Sequence, residues 1–391
     1  MGRPRSLAVR RLLLEGVSKK SKAGRMTRLT RTQLQDYIRG IDAASYSQQR
    51  NYLGSSTRLS EYTTRGSISL PDVRQLLLET NSPESAYKLI NELAWREYWQ
   101  LVWRSRGDGI FEYIRPLRQT VRAGIPEAIL NATTGIEVID NSIRQLKSSG
   151  YIHNHERLWL AGLVCNVAHC DWKIGADWMH SQLIDGDFAS NHLSWQWVAG
   201  SYTGKPYLPQ QQNINSYSRT VQNNTYLDVS YEALSDMAIP GPLQKLDTTQ
   251  SLTDVRLPTS TISLQALQES SEILLYSPWT LDPSWRTESA AVRVLLFDND
   301  WFTRGNYTQN VIDSIVWFAE QIPDLSILCA EPSVLAGLTD HITRKPYPGI
   351  ANWPGRVDRL ELLFPGVPDK LYNSFSAFWK QTQKRPVRDP I

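Results

Sequence analysis

The sequence predicts a mostly α protein: a long all-helical domain followed by a small α/β domain. Three observations carry this reading. Apolar residues recur at helical spacing, with no period-two alternation, from about residue 34 to residue 200. A stretch dominated by Pro, Gln, Asn, Ser and Thr follows over 204–260. Beyond residue 262, short apolar runs of strand length alternate with helical segments, the pattern of a parallel, Rossmann-like sheet. The boundaries are then 1–33 for a basic tail, 34–215 for the helical domain, 216–261 for a linker and 262–391 for the α/β domain.

The elements follow in chain order. Residues 1–40 hold eleven Lys/Arg and two acids, +9 of a total of +3, which leaves about −6 for the rest. A flexible tail, an organelle transit segment and an internal start at Met26 all fit that basic stretch. Val73, Leu76, Leu77 and Leu78 make a helical stripe after Pro71, a good first-turn residue. Leu89, Leu93, Trp95, Trp99 and Trp103 make the next, after Pro83. Ile136, Ile139, Ile143 and Leu146 line a third helix that ends at Gly150. The stretch 158–168 is apolar nearly all round, so it should be buried. In the C-terminal part the strands are Ile273–Tyr276, Val292–Phe297 and Leu325–Cys329, with helices at 311–322 and 369–380. No G-x-G-x-x-G motif, P-loop or internal repeat accompanies them.

Composition narrows the function. The chain has 391 residues, 41% hydrophobic and 21% charged, an ordinary globular balance. No apolar run approaches the roughly 20 residues of a membrane span, so no membrane partner is expected. Three Cys exclude a disulfide framework and fit a reducing compartment, so a cytoplasmic location is expected, with organelle targeting as the alternative. With the basic charge concentrated in the tail, a nucleic-acid surface would have to be a local patch. The 14 Trp are the compositional oddity, eight between Trp95 and Trp197 and six between Trp279 and Trp379. Cys165, His169 and Cys170 fall together on one expected helix. Their spacing is poor for tetrahedral coordination, so no metal site is assigned.

The informative stretch runs over 144–197. It contains R-Q-L-x-x-x-G-Y-x-H-N at 144–154, Asp171-Trp172, S-Q-L-I-D-G-D at 181–187, Asn191 and W-Q-W at 195–197. Upstream lie Ser56-Thr57-Arg58-Leu59-Ser60 and N-E-L-A-W-R-E at 91–97. These ordered blocks resemble the FAD-binding domain of the photolyase/cryptochrome family over about 34–215, on the side of the cyclobutane-pyrimidine-dimer photolyases. In that family an α/β antenna domain comes first. Here 33 residues precede the resemblance and an α/β-like segment follows, which reads either as a relocated antenna-like module or as a new capping domain.

The resemblance implies a cofactor, FAD, and a site for it; the antenna chromophore is left unassigned. Read as residues alone, Ser56, Thr57 and Ser60 are an ordinary helix cap; the resemblance makes them holders of the FAD phosphates, with Tyr46, Leu59 and Arg96 around the cofactor. Asp185 and Asp187 alone could be an acidic turn or a cation site. The resemblance turns both toward the flavin, pairs Asp185 with Arg157 and places Asn191 beside flavin N5. It also implies that Glu92, Trp95, Asn154, Leu158 and Trp197 line a pocket for a flipped pyrimidine dimer, and that Trp195 and Trp172 carry electrons. Trp99 and Trp103 read as core. The family's third electron-carrying Trp falls near Gln119 here, and Tyr113 or Trp159 are the candidates to replace it. His155 and Glu156 depart from the family's usual pair and put the local flavin electrostatics in question, while His153 reads as structural. The implied activity is a monomeric deoxyribodipyrimidine photo-lyase acting on damaged DNA. The alternative is a cryptochrome-like photoreceptor without repair.

Overall fold

The computed structural model describes residues 27–117, 120–249 and 254–384. Most of the basic tail, Met26 and Gln119 lie outside the described residues. The helical part contains α1 (Arg31–Arg39), α2 (Ala43–Gln49), α3 (Ser60–Thr64), α4 (Leu70–Leu78) and α5 (Pro83–Arg106). It continues with α6 (Glu137–Ser149), α7 (Asn154–Gly162), α8 (Trp172–Gln182) and α9 (Phe188–Ala199). The stop signals act as expected. Ser69 and Ser82 cap α4 and α5, each with a proline in the first turn. Gly150 closes α6 at φ 72°, where only glycine is at ease.

The buried stretch 158–168 is one helix only in part. After α7 the backbone opens into a π-helical turn, Leu163–Val167, and His169 at φ 53° ends it. Cys165 and His169 therefore do not share a helix face, which corrects the single helix expected there. Trp159, Trp172 and Trp195 are buried in the core that α6 to α9 enclose. Trp99 and Trp103 are core residues of α5.

The segment 216–261 is not a bare linker. α10 (Gln211–Ser218) and α11 (Tyr231–Asp236) fold back onto the helical part, and Leu246–Asp247 pairs antiparallel with Ile125–Pro126. Leu227, Leu234 and Leu243 fill the same core as α6 to α9. Sparse apolar anchors in a polar stretch are enough when each is fully buried, at about 1.5–3 kcal/mol apiece.

The α/β part holds one parallel sheet of β1 (Ile273–Tyr276), β2 (Val292–Phe297), β3 (Leu325–Cys329), β4 (Ile342–Arg344) and β5 (Arg356–Val357). Its order is β3-β2-β1-β4-β5, with Ile273 opposite both Val292 and Ile342. β1 to β3 match the expected strands residue for residue. Strand alternation sorts their side chains. Leu274, Tyr276, Leu295 and Phe297 face the core shared with the helical part, while Ile273, Leu275, Val294 and Leu296 face the helical turn Pro332–His341. α12 (Asn299–Arg304) and α13 (Gln309–Ala319) join β2 to β3, and α14 (Phe375–Lys384) lies against α5. α14 begins six residues later than the 369–380 helix expected.

The strand order reverses between β1 and β4, the place where doubly wound sheets take ligands. Here the loops leaving these strands meet the helical part instead. Trp279 and Tyr347 stack with centroids 5.4 Å apart, and Lys345 pairs with Asp282 at 2.7 Å. Trp103 and Phe188 pack against that pair from α5 and α9. Arg65, fully buried, donates to the carbonyls of Pro278 and Ile184, tying both parts together.

Candidate functional site

The site is built where the start of α7, the α8–α9 turn and α9 meet. His153 caps α7, and Glu156 closes a capping box by accepting from the His153 N–H. Glu156 also accepts from Ser142 at 2.8 Å, so its carboxyl is turned away into the protein, and burial raises its pKa. His155 stacks on His153 and meets Tyr217 at a tilt, centroids 4.9 Å apart. The two departures noted in sequence are thus parts of a helix start. His153 is structural as well: its Nε2 meets the Arg50 carbonyl at 3.0 Å, and burial lowers its pKa to about 4.

That helix start aims Arg157 at Asp185. One guanidinium nitrogen reaches both carboxylate oxygens, at 3.0 and 2.8 Å, while Nε donates to the Ile152 carbonyl. Burial would raise the Asp185 pKa, but Arg157 and the Ser60 hydroxyl, 2.6 Å away, outweigh it and hold the carboxyl below its ordinary value. Asp187 caps α9 through Ser190 N–H at 2.7 Å. It also accepts from Gln100 at 2.6 Å and lies 3.5 Å from both Arg96 and the Tyr347 hydroxyl. Asn191 is buried, and its amide nitrogen donates to the Ala176 carbonyl at 2.9 Å. This orients the amide with its oxygen as the end left for the cleft.

One cleft gathers Asn154, Arg157, Leu158, Asp185, Asp187, Asn191 and Trp195, with Met179, Leu183 and Val198 as apolar wall. A charged pair, an amide and an apolar wall in one enclosure suit a planar heteroaromatic ring with a polar edge. Trp195 lies against α8 because residue 175 is glycine: an added Cβ would sit 2.4 Å from the indole.

Other expected residues lie elsewhere. Ser60 is committed to Asp185, and Ser56 shares a hydrogen bond with Tyr151 at 2.5 Å. The carbonyl of Thr57 accepts from Tyr37 at 3.0 Å, and Leu59 is buried just before α3. Tyr46 is half-buried near Arg50 and Glu92. Glu92 is exposed, with its carboxylate 3.4 Å from Arg50 Nε. Trp95 does not line the cleft. Phe375 of α14 stacks on it with centroids 3.7 Å apart and planes 10° from parallel, because α14 docks its aromatic face on α5. Trp197 does not line it either. Two residues after Trp195 on a helix is about 200° round, which turns it toward Tyr207 instead. Of the side chains expected to hold substrate, Leu158 and Asn154 are in the cleft.

Sequence reading missed Gln100, Tyr347, and the guanidinium of Arg58, which lies 3.5 Å over Tyr151. Gln100 was findable, since it sits one turn after Arg96 on the same face of α5. Tyr347 was not, because only the fold brings residue 347 to residue 187.

Residues 89–228 match the family model for the FAD binding domain of DNA photolyase. The chain is similar to a deoxyribodipyrimidine photo-lyase of Streptomyces griseus, 31% identical over 151 residues, 38% of this chain and 33% of the relative. A deoxyribodipyrimidine photo-lyase of Buchnera aphidicola is 34% identical over 42% of this chain and 36% of its own. A cryptochrome DASH of Idiomarina loihiensis is 29% identical over 43% and 40%. The chain thus spans about a third to two fifths of the length of these relatives. A solved cryptochrome of Synechocystis is 26% identical over 49% of this chain and 44% of that one, with a TM-score of 0.45.

Proposed function

We propose, for a chain that belongs through residues 89–228 to the photolyase/cryptochrome family, that the α7–α9 cleft holds FAD and serves light-driven repair of cyclobutane pyrimidine dimers in DNA. The observation that carries it is the convergence of the Arg157–Asp185 pair, the Asn191 amide and Trp195 on one cleft. When bound, the reduced flavin supplies a photoexcited electron that splits the dimer and then returns.

The protein's residues supply position and charge. Arg157 keeps a fixed cation at the cleft wall, which favours negative charge developing beside it. Asp185 holds that cation in place through both carboxylate oxygens. The Asn191 oxygen accepts a proton-bearing nitrogen at the cleft edge. Leu158, in the place of a methionine usual in dimer photolyases, is of similar volume and keeps that wall apolar. Neither histidine of the (6-4)-photoproduct enzymes is present at Asn154 or Leu158, which supports the cyclobutane dimer as substrate.

One observation favours the second reading, a photoreceptor without repair. The indole assigned to the lesion wall, Trp95, carries Phe375 stacked on it. The deciding experiment illuminates reduced, flavin-loaded protein with dimer-containing oligonucleotide and follows absorbance near 260 nm. Repair reads as recovery of the pyrimidine band. No recovery with flavin bound, together with light-dependent hydrogen-exchange changes in α14, favours the photoreceptor.

A further inference from the structure

The segment that follows α9 serves two faces of the helical part. Tyr207 meets Trp197, ring centroids 6.1 Å apart, whereas its neighbours Pro206 and Leu208 line a separate cleft of about 360 Å³. Arg115, Pro116, Asn166 and Ser235 complete that cleft, and none of these six residues lines the α7–α9 cleft. Its size is within the range of small-molecule sites.

The two ends of this cleft differ in chemistry. Asn166 is the one amide in the apolar run 158–168, and it is only 7% exposed. The π-helical turn Leu163–Val167 carries it, an irregularity that recurs at functional sites. Its amide nitrogen donates to the Val198 and Tyr207 carbonyls, both at 2.8 Å. Both amide hydrogens are thus spent. The carbonyl oxygen accepts nothing among the described residues and is the end left for the cleft. At the rim, Arg115 is exposed, and its guanidinium has no hydrogen-bond or ion-pair partner among the described residues. Ser235 of α11 adds an exposed hydroxyl to the rim. Pro116, Pro206 and Leu208 supply the apolar wall.

We propose that this second cleft binds a nucleoside monophosphate whose base carries an amino group. The base lies against the proline and leucine wall and donates its amino hydrogen to Asn166 Oδ1, and the phosphate lies on Arg115. The order of the ends decides the class of ligand. A bare acceptor at the buried end repels an anion there and leaves a wholly apolar ligand with an unpaired oxygen to cover, which costs free energy. A free guanidinium at the rim repels a cation and rewards an anion through charge-assisted hydrogen bonds. The ligand therefore carries a neutral N–H inside, a flat apolar body and a negative charge outside. The proposal does not depend on what the α7–α9 cleft holds.

Calorimetric titration of the full chain with AMP tests it, with FAD present in excess so that the α7–α9 cleft is not the site read. The wild type is expected to bind one AMP per chain. Arg115→Gln, an exposed change, is expected to weaken AMP at least about tenfold and adenosine not at all, because only AMP brings the phosphate. Arg115→Lys should recover most of that loss. The buried end is read without any variant: AMP dimethylated on its amino group has no hydrogen to give and should bind the wild type at least about tenfold more weakly. Asn166→Ser should remove that difference between the two nucleotides. Absence of saturable AMP binding, or an AMP affinity unchanged by Arg115→Gln, overturns the proposal. Inorganic phosphate binding as tightly as AMP overturns it too, since the cleft would then hold an anion and no base.

Discussion

Two places among the described residues where a ligand could sit are finished differently. The α7–α9 cleft keeps charged and amide groups on its wall, each already held by a second partner. The reversal point of the parallel sheet, a generic ligand position, is filled by Trp279 and Tyr347 and pressed against α5 and α9. Polar groups that are oriented but not exhausted make a site. Stacked aromatic rings make a joint. On this comparison the sheet joins the two parts, and Tyr347 extends that joint to within 3.5 Å of Asp187.

The largest expected effect comes from breaking the cleft's ion pair. Arg157→Ala leaves the Asp185 carboxylate buried without its cation, at a cost of about 3–5 kcal/mol. Chemical denaturation should show that loss, and a change within error of zero would mean that the pair is not the cleft's anchor. The matching cut in the joint is Trp279→Ala, which should cost about 3 kcal/mol by opening a cavity between the two parts. Unlike the first, it should leave flavin content unchanged. Loss of flavin there would erase the distinction between site and joint.

A finer distinction concerns pH. Glu97 of α5 is buried and accepts the backbone N–H groups of Leu363 and Phe364, fastening the C-terminal segment. Burial raises its pKa from the ordinary 4.5 to about 7. An acid whose folded pKa is raised contributes its stability fully below pH 4.5 and loses it as pH rises through about 7. Unfolding of the wild type should therefore become easier across that window, and Glu97→Gln should flatten the slope. The smallest effect belongs to Gln100→Ala, about 1 kcal/mol, because Asp187 keeps Ser190 and Arg96 as partners. A loss as large as that of Arg157→Ala would make Gln100 a structural centre of the cleft rather than a support.

The sequence was legible where a physical signal is local. β1 to β3 are apolar runs bounded by polar residues, and both faces of the sheet are buried, so their limits show directly. β4 and β5, three and two residues long, carry no period to read. α10 and α11 sit in a polar stretch whose few leucines reveal nothing until the core they enter is known. The cleft residues lie on consecutive elements, so contiguous motifs located them. Trp95 and Trp197 do not line the α7–α9 cleft, for geometric reasons: Phe375 of α14 stacks on the first, and helix rotation turns the second toward Tyr207. The six C-terminal Trp, unexplained by any motif, take several roles. Trp279 and Trp301 belong to the joint, Trp285 donates to Asp358 at 2.9 Å, and Trp379 donates to Tyr87 on α5 at 3.0 Å.

The central claim is that the Arg157–Asp185–Asn191 cleft is the flavin site, and a titration tests it most directly. FAD fluorescence is followed on adding wild-type protein or Asp185→Asn, with circular dichroism confirming that the variant is folded. The account predicts quenching at one FAD per chain for the wild type and at least about tenfold weaker binding for the variant. Equal binding by a folded Asp185→Asn, or no saturable binding by the wild type, would contradict it.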